Sequence, residues 1–402
     1  MSTIEIHIIQ NFPPSNLNRD DIGQPKSTDF GGVRRARISS QCQKRAIRMH
    51  PAFAKATGVA PSDRTKMISQ EIAARLVKAG KPEDQSQKAA VLFAETYSGK
   101  LDEKRKGETA VLIYFSEREY ELISQGLIER WDAVSAMLVA APPSGEGEKP
   151  AKGKKAKADK ADTSAIDELI KDLVKETKER TSAPDIALYG RMLADRPETN
   201  IDAACQVAHA ISTHEVRKAD LDYYTAMDDV KQRMKDSGAG FLDVAYFNSA
   251  CFYRYMRIDF AQLEKTLGDH DMAVKTVEGF MRAAEAAVPT GKQNSHAHFA
   301  RPSFMLAVLR PSGSDGWNLA NAFEKPVHAN TEEGLIEQSV KRLQAHFNHL
   351  HKFYGEDAVS AIAVALPDGV VGSAQLGETP ADAIKGMNEW VKTITNGLGK
   401  GA

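Results

Sequence analysis

The strand-like segments of this chain lie far apart in sequence, and that spacing constrains the fold more than any other feature. Thr3 to Gln10 (TIEIHIIQ) alternates and is rich in β-branched residues, the period-2 signature of a strand. The next such runs are Thr109–Phe115, Ala250–Asp259, Ser303–Arg310 and Ala361–Ala365. Helical patterns fill the stretches between them: Ser39 or Ser40 to Lys55, two helices within 64–98 split at Gly80-Lys81-Pro82, Ser116 to Val139, and Ser164 to Arg180. Further helices are expected over 260–267, 270–287, 316–325, 331–352 and 378–396. Asp185–Met192 reads as a return strand or an extended approach to a turn, and Asn200–Ile211 as a capped apolar helix. Residues 11–38, punctuated by Pro13, Pro14, Gly23, Pro25, Gly31 and Gly32, read as a long irregular loop. The order fits an α+β class, a β-α-β-β-α-β core carrying insertions. No fixed-period repeat is present.

Composition narrows the class. The chain has 402 residues, 42% of them hydrophobic, enough for one large core or two to three modules. No run approaches eighteen continuous apolar residues, so no membrane span or membrane partner is expected, and the N-terminus shows no secretion signal. Cys42, Cys205 and Cys251 are scattered and odd in number, as expected of reduced thiols in a cytoplasmic protein.

The formal charge is -1, yet nine Lys/Arg stand against three Asp between Arg19 and Lys55. A local basic field on a near-neutral chain points to an anionic partner bound at one place. Arg34, Arg35 and Arg37 follow Gly31-Gly32, and Lys44, Arg45 and Arg48 follow on the helix. Arginine offers a planar fork for two phosphate oxygens, glycine lets a sugar-phosphate strand come close, and the helix start at Ser39-Ser40 offers N–H groups to an anion. A solvated basic face paired with acidic residues is the alternative.

Weaker signals lie downstream. Lys149, Lys152, Lys154, Lys155, Lys157 and Lys160 sit in a segment rich in Pro, Gly and Ala (142–162), suited to diffuse attraction of a polyanion or to a solubilising linker. In the run Phe252–Arg257, Tyr253 and Tyr255 share one face with Arg257; they could stack bases or simply belong to the core. Lys292 and Asn294, in Gly291-Lys-Gln-Asn-Ser-His296, place amide and basic groups around a glycine, as a sugar-phosphate site or an ordinary surface loop would. No P-loop, HExxH, CxxC pair or GxSxG occurs, so no cofactor, metal or catalytic residue is assigned.

Taken together, Asn18-Arg-Asp-Asp21, Lys26, Phe30-Gly-Gly-x-Arg-Arg-x-Arg-Ile-Ser-Ser-Gln41 and Lys44-Arg-Ala-x-Arg48 resemble the backbone subunit of the type I-E CRISPR Cascade complex, the CasC family. Asp185–Met192, Ala203–His214, Phe252–Tyr255 and Gly291–Ser295 extend the resemblance over nearly the whole chain. It implies a modified RNA-recognition-motif, ferredoxin-like palm (1–57, 185–213 and 248–402), a helical fingers insertion (58–184) and a thumb (214–247). It also implies a non-catalytic subunit that stacks head to tail with copies of itself along CRISPR RNA. Each thumb would displace a base at about every sixth position, leaving segments for pairing with target DNA, and other Cascade subunits would complete the complex. By the family pattern Arg19, Lys26, Lys44, Arg45 and Arg48 contact the RNA backbone, Met192 packs against RNA, and the lysine-rich segment lies where the family attracts target DNA. The competing reading is a CRISPR repeat RNA-processing endoribonuclease of similar fold, with His7, His209 and His214 as acid–base candidates.

Overall fold

A computed structural model describes residues 2–140, 164–216, 219–225, 242–311, 313–355, 358–371, 376 and 384–399. The chain opens with β1 (Thr3–Ser15), longer than the alternating run alone. β2 (Ser27–Phe30) and β3 (Val33–Ile38) form a hairpin closed by Gly31 and Gly32, at φ 62° and 77°. Two successive positive φ angles give the two-residue turn whose twist matches its strands. A Cβ on Gly31 would lie 1.8 Å from the Glu324 carbonyl oxygen. The irregular loop expected over 11–38 is therefore mostly strand.

α1 (Ser40–Arg48) and α2 (Pro51–Thr57) replace the single helix expected to Lys55. Pro51 takes the first position of α2, where its missing N–H has no helical acceptor to lose. There follow β4 (Asp63–Thr65), α3 (Ile68–Lys78), α4 (Glu83–Ser98), β5 (Ile113–Phe115), α5 (Glu117–Glu129), α6 (Trp131–Ala140), α7 (Ser164–Thr177) and α8 (Pro184–Tyr189). α8 corrects the extended reading over 185–189, where Pro184 at its start and Asp185 in its first turn are helix-start signals, while Arg191 forms an antiparallel bridge with Ile201.

Next come β6 (Cys205–Val207), β7 (Ala210–Ser212), β8 (Asp220–Thr225), β9 (Leu242–Asp259), α9 (Phe260–Leu267), α10 (His270–Ala286), α11 (Gln293–His296), β10 (Phe304–Arg310), α12 (Leu335–Tyr354), β11 (Ala361–Ala365) and α13 (Met387–Thr395). A 3-10 turn, Leu319–Phe323, stands in the helical stretch expected over 316–325. β6 and β7 overturn the helix expected over 200–211. Their backbone pairs along β9, Cys205 opposite Ile258 and Ile211 opposite Tyr253, and that ladder outweighs a weak apolar periodicity.

The chain divides into two compact units: Met1–Gly58 with Ala204–Glu264 and Asp269–Ala402, and Val59–Ala203 with Lys265–Gly268. The first holds a mixed α+β arrangement around an antiparallel sheet in the order β11-β10-β1-β9-β7-β3-β2, with β6 and β8 also pairing with β9. On one face, Ile9, Tyr253, Tyr255 and Leu306 pack with Trp317, Phe323, Leu343 and Phe347. On the other, Arg254 donates to Gln10 Oε1 at 2.7 Å and to Gln43 Oε1 of α1 at 3.4 Å.

Both faces of the central strands are thus covered, which corrects the base-stacking reading of the β9 aromatics. Tyr253 is buried, with its hydroxyl accepting from Leu319 N–H at 3.0 Å, and Tyr255 donates to Glu5 at 2.7 Å. Glu5 also holds Arg310 at 2.5 Å, both side chains fully buried. Removing either partner of such a pair strands a charge in the core, at a cost of about 3–5 kcal/mol.

The second unit is mainly helical. Phe93, Tyr97, Phe115 and Tyr120 contact one another in series in its core, which also holds Ile72, Leu76, Ile123 and Leu127. No helix among the described residues is long and apolar enough to cross a membrane.

Candidate nucleic-acid interface

The basic block of the N-terminal region does not act as one patch; local folding sorts it. Asn18 to Lys26 close into a tight loop: Lys26 N–H donates to the Asn18 carbonyl at 2.8 Å, and Asp20 Oδ1 accepts from Ile22 and Gln24 N–H at 3.0 and 2.9 Å. Arg37 N–H donates to the Lys26 carbonyl at 2.9 Å, which ties this loop to β3. Asn18 Oδ1 accepts from Ser39 N–H at 2.9 Å, and Ser39 Oγ from Cys42 N–H at 3.3 Å. Two N–H groups at the start of α1 are therefore already satisfied, so the helix terminus offers an anion less than the sequence suggested.

A cleft of about 500 Å3 forms where this loop meets α1 and the loop before α11. Arg19, Asp20, Arg45 and Gly291 line it. Gly291 is required there by close approach, since a Cβ would lie 2.5 Å from the Leu17 carbonyl oxygen. Exposed Lys292 and Asn294 follow directly. Burial raises the Cys42 thiol, and Arg45 and then Lys26 act against it, so both cations lie within electrostatic reach of this thiol. The Asn18–Lys26 loop, α1 and the Gly291 loop thus converge on one recess, whose lining pairs Arg19 and Arg45 with Asp20 and Asp21.

Arg37 donates to His209 Nδ1 at 2.9 Å. Burial first, then Arg37 and Lys26, hold His209 below the usual histidine range. Because arginine stays protonated, Nδ1 is the acceptor and the ring's proton sits on Nε2. No sequence pattern pairs His209 with Arg37; β7, expected as helix, brings them together.

Arg34 is exposed on the hairpin, with a 3.4 Å surface pair to Asp29 of the kind worth about 0–1 kcal/mol. Arg35 is the correction within the block. It is fully buried, and its guanidinium donates to the carbonyls of Thr213 at 2.8 Å, Ser212 at 3.2 Å, Phe323 at 2.7 Å and Glu324 at 3.1 Å. Its fork is spent inside the fold and reaches no phosphate. Lys44 and Arg48 lie half-buried on α1. Met192 is 85% exposed on the second unit. Lys149, Lys152, Lys154, Lys155, Lys157 and Lys160 lie outside the described residues.

A family model described as CT1975-like protein matches residues 4–393. The chain belongs to the CT1975-like protein family. Comparison with curated proteins found no match. Among solved structures, a chain of a CRISPR RNA-guided surveillance complex in a pre-nicking state is 26% identical, with TM-score 0.78, covering 98% of this chain and all (100%) of that one. A second chain, from a CRISPR RNA-guided surveillance complex, shares the fold at TM-score 0.70 and 24% identity over 98% of this chain and 99% of its own. This CT1975-like protein is thus homologous to a component of such complexes.

The three histidines considered for acid–base work have separate surroundings in this CT1975-like protein. His7 is buried, bonded to the Tyr253 hydroxyl at 2.9 Å and pushed down to about 4 chiefly by burial. His214 Nε2 accepts from Cys251 N–H at 3.2 Å, and its Nδ1 lies 2.8 Å from the Glu215 carbonyl. His209 carries Arg37. No cluster of three or more His, Cys, Asp or Glu is placed to hold a metal among the described residues.

Proposed function

We propose that this chain is the non-catalytic backbone subunit of a type I-E Cascade antiviral surveillance complex, working in the cytoplasm. Residues 1–57, 185–213 and 248–402 serve as a palm of modified RNA-recognition-motif type and 58–184 as fingers. β8 with the outer half of β9 serves as the thumb; the rest of the 214–247 thumb assignment, 217–218 and 226–241, lies outside the described residues. Copies assemble head to tail along CRISPR RNA, hold its backbone, and leave base edges free for target DNA, alongside other Cascade subunits. Open-ended repetition along a strand needs a heterologous interface rather than a closed dimer.

The observation that carries this reading is the meeting of Arg19, Arg45 and the Gly291 loop at one recess. Its donors suit phosphate and sugar, which position a strand without reading it. A subunit serving many guides needs that property, because base pairing supplies the specificity. Met192 is the apolar contact to the RNA in this assignment. The endoribonuclease alternative has no accessible acid–base pair among His7, His209 and His214 to support it.

The test is salt dependence. Arg19→Ala combined with Arg45→Ala is expected to weaken binding to RNA of any sequence and to flatten the log–log salt slope by about 1.4, about 0.7 per single-strand phosphate contact. An unchanged slope with unchanged affinity rules the track out. Purified protein incubated with repeat RNA should leave it intact; clean metal-independent cleavage would favour the endoribonuclease.

A further inference from the structure

Met192 combines high exposure with an unusually well-pinned backbone. The residues on either side are buried, Arg191 at 4% and Leu193 at 3% exposure, so the chain turns one side chain out between two turned in. Arg191 and Ile201 exchange backbone hydrogen bonds at 3.0 and 2.9 Å. The Arg191 guanidinium donates to the Thr199 carbonyl at 3.1 Å, the Tyr114 carbonyl at 3.2 Å and Glu119 Oε1 at 2.5 Å. Glu119 in turn accepts from Ser116 N–H and Oγ, both at 2.9 Å, in the capping box that starts α5. On the far side, Leu193 N–H donates to Asn200 Oδ1 at 2.7 Å. Arg196 then fastens the loop to the Tyr97 and Thr96 carbonyls at 3.1 and 2.5 Å.

Methionine has three rotatable bonds and adapts to whatever it meets. A methionine that must meet RNA at a set point needs its backbone fixed, because its side chain cannot supply the precision. We propose that Arg191 and Asn200 are positioning residues that hold Met192 as an apolar peg against single-stranded RNA. The proposal rests on the reading of Met192 as an RNA contact. Arg191 does so through a planar fork that reaches two carbonyls and a carboxylate at once, which lysine cannot reproduce. Asn200 does so through one acceptor oxygen, which aspartate retains.

The experiment uses the assembled complex on guide RNAs carrying 2-aminopurine at successive positions, with fluorescence per bound RNA reporting unstacking. The wild type should show bright positions at regular intervals. Met192→Ala should lose that contrast. Arg191→Lys and Asn200→Ala should lose most of it, while Asn200→Asp keeps it. Should Arg191→Lys fail to fold, the Asn200 pair decides alone. Contrast lost in Met192→Ala but kept in Asn200→Ala would overturn the positioning role and leave the peg standing. Equal loss in Asn200→Asp and Asn200→Ala would overturn the acceptor mechanism. Contrast kept in Met192→Ala would overturn the peg itself, and with it the reading of this residue.

Discussion

Arg34, Arg35 and Arg37 carry the same charge within four residues and have three different environments. Arg34 points to solvent, Arg37 turns to His209, and Arg35 is sealed under five carbonyls. Arg35→Ala removes those donors from buried acceptors, each costing about 1–3 kcal/mol, so a destabilisation of several kcal/mol is expected in urea unfolding. Arg34→Ala should stay within about 0.5 kcal/mol. Local charge marks out the basic block, but not which arginine closes the fold. That depends on Phe323 and Glu324, nearly three hundred residues downstream (sequence separations 288 and 289). His7 gives a second residue-scale prediction. Its folded value, about 4, lies below the unfolded 6.5, so the unfolded chain binds the extra proton between these limits. Its stabilising contribution is whole above pH 6.5 and is lost as pH falls toward 4, by about 3 kcal/mol in total. His7→Gln should flatten stability over that window, as read by denaturant midpoints from pH 4 to 7.

At the scale of elements, the β2–β3 hairpin and the paired start of β9 are the features the sequence conceals most. Gly31-Gly32 is a hairpin signal, but upstream Pro and Gly residues give the surrounding stretch the look of a loop. β6 and β7 are too short for alternation to register against the helical spacing of Ala204, Cys205 and Ala208. By contrast α10, β10 and β11 are legible because their periodicity is long or nearly continuous. β8 is exposed along its whole length and pairs with Leu242–Phe247 of β9. Replacing 219–245 with a short Gly/Ser linker spares Val216 of the core and the Asn16–Tyr246 hydrogen bond. We expect the truncated chain to keep its unfolding midpoint within a few degrees and to lose regular assembly on RNA, as seen by electron microscopy. Evenly spaced filaments from that variant would remove the thumb role from this ribbon.

For the whole molecule, the governing fact is that one sheet draws β1, β9, β10 and β11 from both ends of the chain. β1 lies between β9 and β10, so N-terminal and C-terminal segments must meet before either is buried, and folding should be slow for the chain's size. The same gathering brings the Asn18–Lys26 loop, α1 and the Gly291 loop to one recess. No local pattern predicts that convergence; it follows from the register of β1 on β9 and β10. The most direct measurement of the central claim is native mass spectrometry of the protein isolated with its bound nucleic acid. A backbone subunit should copurify with CRISPR RNA of fixed length, several copies per strand, with copy number rising in step when the guide is lengthened. Protein recovered free of RNA, or a copy number indifferent to guide length, would contradict the account.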